Sequence, residues 1–228
     1  MVKPKKGGKS AKSYIKRVEN SKDFGEMEKA LSGKGIKVSN SLKNRQDLKM
    51  NEVSQAFAGA LEVLEEFGAT SQLSRFDVWN DGVMSAGFND ININPSYFKG
   101  GTRDLKDVMN SGTFHPANQT AKSTGAHEAG HILDHYIQVK TGINGRWDTY
   151  SSPRIVNQAM KELKAEYKAK GLKPPTMDSL KMGISGYALK NTHETFAEAI
   201  ADVYANGNKA NEFSIKIYNQ AKKTLGIK

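Results

Sequence analysis

The 228-residue chain contains no cysteine. Disulfides and cysteine-ligated metal are therefore excluded, and any bound ion must be held by His, Asp and Glu. The same absence removes any clue to redox compartment. No apolar run approaches the roughly 20 residues that span a bilayer, so no transmembrane helix is expected. The N-terminal stretch Met1-Val2-Lys3-Pro4-Lys5-Lys6-Gly7-Gly8-Lys9 has the charges of a signal peptide without an apolar stretch behind them. Sec export is not expected, and a cytoplasmic or virion-associated location is favoured over a secreted one. There is no internal repeat, and no helix-turn-helix, zinc-finger or RNA-recognition pattern, so nucleic-acid binding ranks as an accessory property.

What is present is an ordinary globular composition: 37% hydrophobic and 25% charged residues, enough for one domain with a core. The net charge of +10 is unevenly spread. Residues 1–20 carry Lys3, Lys5, Lys6, Lys9, Lys12, Lys16 and Arg17 against Glu19 alone. This predicts a basic leader without fixed structure over 1–20, followed by one domain over 21–228. The leader is suited to weak contact with nucleic acid or another polyanion.

Periodicity predicts a helix over Ser21–Leu31, a short strand at Ile36–Val38, and a long helix over Leu42–Phe67 stopped by Gly68. Phe76–Trp79, Val83–Phe88 and Ile91–Asn94, separated by Asn-Asp-Gly and Asn-Asp, read as a β-meander closed by Pro95. Residues 99–123 read as a loop around one short helix near Asp104–Asn110, with His115 expected to be solvated. A helix from Ser123 or Thr124 to Thr141, ended by Gly142, precedes a loop with Trp147 and Tyr150. Further helices are predicted around Ile155–Tyr167, over Asn191–Asn206 and over Lys209–Leu225. The fold class is α+β: a small, twisted, mostly antiparallel sheet packed on one helix, with a helical C-terminal half.

The most informative residues are His127-Glu128-Ala129-Gly130-His131, inside that predicted helix. Histidines at i and i+4 share a helical face, so both imidazoles reach one ion. Glu128 follows the first histidine and comes near the ion's open position, as a zinc peptidase requires of its base. Gly130 leaves room for another element to approach the metal-bearing turn. Two ligands do not complete a catalytic zinc site. Ile132-Leu133-Asp134-His135 lacks the glycine that a third histidine ligand in the next turns would need, and His135 reads as a surface or supporting residue. Thr192-His193-Glu194-Thr195-Phe196-Ala197-Glu198 supplies two carboxylates at i and i+4. One can bind the metal while the other accepts a hydrogen bond from a ligating imidazole. His193 points roughly 100° away from Glu194 and is the weaker candidate.

The segment Tyr187-Ala188-Leu189-Lys190-Asn191-Thr192-His193-Glu194-Thr195-Phe196-Ala197-Glu198-Ala199 resembles the zinc-binding segment of the anthrax lethal factor catalytic-domain family. There a tyrosine precedes the metal glutamate by seven residues and Phe-Ala-Glu-Ala follows. His127-Glu128-x-Gly130-His131-x-x-Asp134-x-Tyr136 is similar to the family's first motif, and the two together span about 23 positions in the right order. The resemblance implies a zincin-like metallopeptidase domain of the gluzincin type, acting on a protein or peptide. It implies one Zn2+ held by His127, His131 and Glu194, with Glu128 taking a proton from the zinc-bound water. Tyr187 would donate its hydroxyl to the oxyanion or the leaving group. Asp134 and Glu198 would orient the histidines. In that class the last strand pairs with extended substrate, which here makes Ala86–Asn94 the expected substrate edge.

The chain is far smaller than the toxin and has no room for its receptor-binding and substrate-recognition modules, so toxicity and kinase-directed cleavage do not carry over. Related domains occur in bacteriophage and prophage head-associated proteins. That leaves an alternative: a structural or interaction protein retaining the scaffold. The intact Glu128 argues against it, because a structural site needs no base.

Overall fold

The computed structural model describes residues 8–100, 104–109, 115–143 and 149–227, without the side chains of residues 8–12. The chain is α+β, 64% helical, with a four-stranded mixed sheet. Among the described residues no helix is long and apolar enough to cross a membrane.

Helix α1 (Gly8–Glu19) corrects the expected leader. Tyr14, Ile15 and Val18 recur on one face and are buried, and Tyr14 donates to Glu65 Oε2 at 3.1 Å. The lysine count hid this face, because three apolar residues suffice to anchor a helix whose other side is solvated. Residues 1–7 lie outside the described residues. Helix α2 (Phe24–Leu31) starts at Asp23, whose carboxylate accepts from Glu26 N. Strand β1 (Lys37–Val38) and helix α3 (Asn40–Lys43) follow.

The long helix α4 (Met50–Glu66) begins later than its apolar pattern suggested. Asn44 closes α3, Arg45 pairs with Asp47, and Lys49 N donates to Phe98 O at 2.6 Å, so the backbone there is bonded elsewhere. Val53, Phe57, Ala60, Leu61 and Leu64 form its buried stripe, and the Phe57 ring stacks on Phe76 with centroids 3.9 Å apart.

The sheet comprises β1, β2 (Arg75–Val78), β3 (Met84–Ala86) and β4 (Asp90–Ile93), in the order β1-β2-β4-β3. β1 and β2 are parallel, β2 and β4 are parallel, and only β3 and β4 are antiparallel. The mostly antiparallel sheet expected from the turn signals is thus corrected. The long crossover through α3 and α4 brings β2 back parallel to β1. β4 takes the centre because its alternating Ile91 and Ile93 are fully buried, which Met84-Ser85-Ala86 cannot match. The exposed edge is therefore Met84–Ala86, not the expected Ala86–Asn94.

After α5 (Pro95–Phe98) and α6 (Leu105–Met109), helix α7 (Ala121–Thr141) crosses the molecule. Thr120 and Ser123 cap its start reciprocally, and Gly142 ends it in the left-handed region at φ 60°. α4 and α7 meet backbone to backbone. A Cβ at Gly125 would lie 1.7 Å from Ala56 O, and one at Gly59 would lie 2.0 Å from Lys122 O. The C-terminal half holds α8 (Ser152–Ala169), α9 (Met177–Ile184), α10 (Thr192–Asn206) and α11 (Glu212–Thr224). The sequence reading missed α9, a two-turn helix whose buried residues are Leu180 and Ile184, with Met177 packed partly against the core. Trp147 lies outside the described residues.

Candidate metal centre

The cap at Thr120 fixes where α7 begins, and His127 and His131, four residues apart within it, leave from one face. Their Nε2 atoms lie 3.2 Å apart. Glu194, in the first turn of α10, places Oε2 3.3 Å from each. Asn191 caps that helix by accepting from Glu194 N at 2.8 Å. Gly130 lets α10 come this close, since a Cβ there would lie 2.8 Å from Ala197 Cα.

Among the described residues, His127, His131 and Glu194 are the donors that converge on one point and can hold a metal ion. The spacing suits one. Tetrahedral bonds of about 2.0–2.1 Å put ligand atoms roughly 3.3 Å from one another. Glu194 Oε2 is also a buried oxygen with no hydrogen-bond partner, turned toward two imidazole nitrogens. A cation supplies what that oxygen lacks.

Of the two carboxylates left open by the sequence, Glu194 joins the donors and Glu198 stands behind them. Glu198, almost wholly buried, places Oε1 2.9 Å from His127 Nδ1. That bond assigns the proton to Nδ1 and leaves the Nε2 lone pair for the ion. The same oxygen lies 3.2 Å from His115 Nδ1. His115 is thus part of the centre and not the solvated loop residue expected. It stands 83 residues from Glu198, and nothing local in a His-Pro pair could announce the contact.

The ionisations follow from this packing. Burial opposes charge on His127, but the Glu194 and Glu198 carboxylates beside it prevail and hold it well above the usual histidine range. Burial would raise Glu194, yet His127 and His131 hold it well below the usual carboxylate range. Glu198, raised by burial, is brought down to about 2 by His115 and His127. Glu128 behaves differently. Burial pushes it up, His127 and His131 pull it down, Glu194 and Glu198 add to the rise, and the net shift is upward.

Tyr187 opens a 3-10 turn (Tyr187–Leu189), its ring 6.0 Å from that of His127 and 5.6 Å from that of His115. Its phenol oxygen accepts from Lys190 Nζ at 3.1 Å. His127, Glu128, His131, Tyr187 and Glu194 all line one cleft of about 440 Å3, whose other wall is Met84–Gly87 with Trp79. A second cavity of about 340 Å3 opens beside Glu128 and His127 and is walled by Val83, Tyr97, Leu105, Val108 and Met109.

Asp134 does not reach the two α7 imidazoles it was expected to orient. Its Oδ1 accepts from Ser151 N at 2.7 Å, Ser151 Oγ at 2.8 Å and Ser152 N at 2.6 Å, while Oδ2 faces His193 Nδ1 at 3.1 Å. Its oxygens are taken up instead by the donors at the α8 start and by His193. His135 is no ligand: its Nδ1 lies 2.8 Å from Thr149 O and its ring 4.3 Å from Phe88. His193 lines the cleft but stands outside the converging donors. Comparison of the chain with protein-family models, curated proteins and solved structures returns no match.

Proposed function

We propose that the chain is a zinc metalloendopeptidase with a zincin-like fold, hydrolysing peptide bonds with Glu128 as the base. The observation that carries this reading is the convergence of His127, His131 and Glu194 at 3.2–3.3 Å beside a buried carboxyl with raised proton affinity. Two imidazoles and one carboxylate form the donor set of a catalytic zinc, which leaves one position open. When bound, zinc polarises the scissile carbonyl and acidifies water. The resemblance of the two motifs to the lethal factor catalytic-domain family supports the same reading.

The chain's own groups divide the rest of the work. Glu128 takes a proton from the attacking water and passes it to the departing nitrogen; its upward shift suits both steps. Tyr187 donates its hydroxyl to the carbonyl oxygen as negative charge develops there. Lys190 donates to the phenol oxygen, and its positive charge makes the phenol a stronger hydrogen-bond donor. Glu198 keeps His127 in the ligating tautomer.

The edge strand offers a place for the peptide. Asn94 N donates to Val83 O and Gly87 N to Asp90 O, so 83, 85 and 87 face β4 and the backbone groups of Met84 and Ala86 point outward. An extended peptide adds there as a further strand. The apolar cavity beside Glu128 then takes a large apolar side chain next to the scissile bond.

The test is cleavage of a diverse peptide library by the zinc-loaded chain and by Glu128→Gln. Cuts by the wild type alone, with equal zinc in both proteins, are expected. Turnover by Glu128→Gln would overturn the mechanism, and a zinc-occupied wild type that cuts nothing would overturn the activity.

A further inference from the structure

The metal chemistry leaves the buried carboxylates of Asp134 and Asp202 unused, and Asp134 is the one that reaches a cleft residue. Asp134 is fully buried, spends Oδ1 on three donors at the start of α8, and turns Oδ2 to His193 Nδ1 at 3.1 Å. Ser152 Oγ lies 2.9 Å from the same nitrogen. The His193 ring packs on Tyr150 with centroids 4.1 Å apart, and its side chain is 33% exposed in the cleft that holds the metal donors. An imidazole on the rim of a cleft ordinarily turns freely; this one is clamped by a carboxylate, a hydroxyl and a ring.

The clamp decides the tautomer. A carboxylate oxygen only accepts, so the Asp134 contact places the proton on Nδ1. Nε2, on the far side of the ring, then carries a lone pair. It has no hydrogen bond among the described residues, and it is the nitrogen left to the cleft. It is not a fourth ligand, since the donors within ligand range of one another are His127, His131 and Glu194.

The geometry points to His193 as a substrate-binding residue, whose Nε2 accepts a hydrogen bond from a main-chain N–H of the bound peptide. This rests on the peptidase reading and extends it. Strand addition along Met84–Ala86 satisfies one edge of an extended peptide and leaves the amides of its other edge facing across the cleft. In the same cleft, Nε2 of His193 is an acceptor held in place by the protein. Asp134 is accordingly a positioning residue for the substrate, working through His193, and not for the metal ligands. The two residues are 59 apart in sequence, so neither motif alone discloses the pair.

The experiment uses the zinc-loaded full chain and N-acetyl-alanyl-leucine hydroxamate, which holds zinc through its hydroxamate and carries peptide N–H groups into the cleft. Proton–nitrogen correlation spectra of isotope-labelled histidines at mildly alkaline pH report which ring nitrogen bears the proton. The expected result is a proton on Nδ1 of His193, with an Nε2 resonance that moves when the hydroxamate binds and stays still with its N-methylated analogue. His193→Phe keeps the ring on Tyr150 and is expected to weaken hydroxamate binding about tenfold at unchanged zinc content. His193→Gln, which restores an acceptor, is expected to recover most of that loss. A proton on Nε2, a bound hydroxamate with a silent His193, or full binding by His193→Phe would overturn the inference and leave the peptidase reading standing. A zinc-loaded chain that binds no peptide hydroxamate would overturn both.

Discussion

The Gly130→Ala substitution probes how closely the metal centre depends on one backbone contact. The added Cβ would lie 2.8 Å from Ala197 Cα and 3.2 Å from Ala197 Cβ. Carbon atoms in contact prefer about 3.5–4.0 Å, so α10 must withdraw by roughly 0.7–1.2 Å at this point. No rotamer relieves the overlap, because the nearer atom is backbone. Glu194 lies less than one turn before Ala197 on the same helix and moves with it. A shift of that size at the third donor exceeds the roughly 0.2 Å latitude of a metal–ligand distance. Zinc affinity should fall on the order of 100-fold, about 2.7 kcal/mol, while overpacking costs about 1–3 kcal/mol of stability. Competition with a chromophoric chelator measures the first, and thermal melting in EDTA the second. Adding Ala197→Gly should not restore zinc, since the Cα it leaves behind is the atom in the way. Zinc affinity within twofold of wild type in Gly130→Ala would refute the reasoning.

Other outcomes follow from the same geometry. Glu198→Gln removes the charge that orients His127 and should weaken zinc binding about 10–100-fold; His115→Ala, which removes one of that carboxylate's partners, should cost less, and equilibrium dialysis ranks the two. In EDTA, stability should be greatest between the ordinary glutamate value of 4.5 and the ordinary histidine value of 6.5. Below that window the contributions of Glu194 and Glu198 are lost as pH falls through their depressed values, that of Glu198 at about 2. Above it, the contribution of His127 is lost as pH rises through its raised value, and melting curves across pH show whether both flanks exist. Since zinc must displace the His127 proton, its affinity should drop as pH falls, and isothermal titration at several pH values checks the sign. Ala86→Pro deletes an outward N–H on the edge strand and should raise KM for a cleaved peptide several-fold with kcat little changed, a split that steady-state kinetics resolves.

The parts of the site that were legible in the sequence are those written in helical spacing. His127 with His131, and Glu194 with Glu198, are each four residues apart, and one turn of helix turns that interval into a shared face. What the interval cannot encode is which carboxylate stands in front, because that depends on how α10 crosses α7 at Gly130 and Ala197. His115 was illegible for a related reason: a loop residue acquires its partner only through tertiary packing. Most helices were visible through their apolar stripes, with ends displaced where caps at Asp23 and Thr120 decided the first turn. The sheet was read wrongly because turn signals speak of neighbours in sequence. Burial of Ile91 and Ile93 instead drew β4 between β2 and β3. The leader was misjudged by its charge, since the basic count of the sequence outweighs Tyr14, Ile15 and Val18, which are buried while Lys16 and Arg17 stay exposed.

The seam between α4 and α7 has a mechanical consequence. Where Gly59 and Gly125 meet the opposing main chain, no side chain lies between the two rods to deform or repack. Sliding α7 by one residue would advance it about 1.5 Å and turn it about 100°, driving the Cβ of Thr124 or Ala126 into the carbonyl of Ala56. The joint therefore admits one register, much as a keyway admits one shaft position. The direction in which His127 and His131 leave the helix is fixed by main-chain contact, out of reach of small adjustments elsewhere in the core. Substitutions that loosen the surrounding apolar packing should thus lower the melting temperature well before they disturb the three donors.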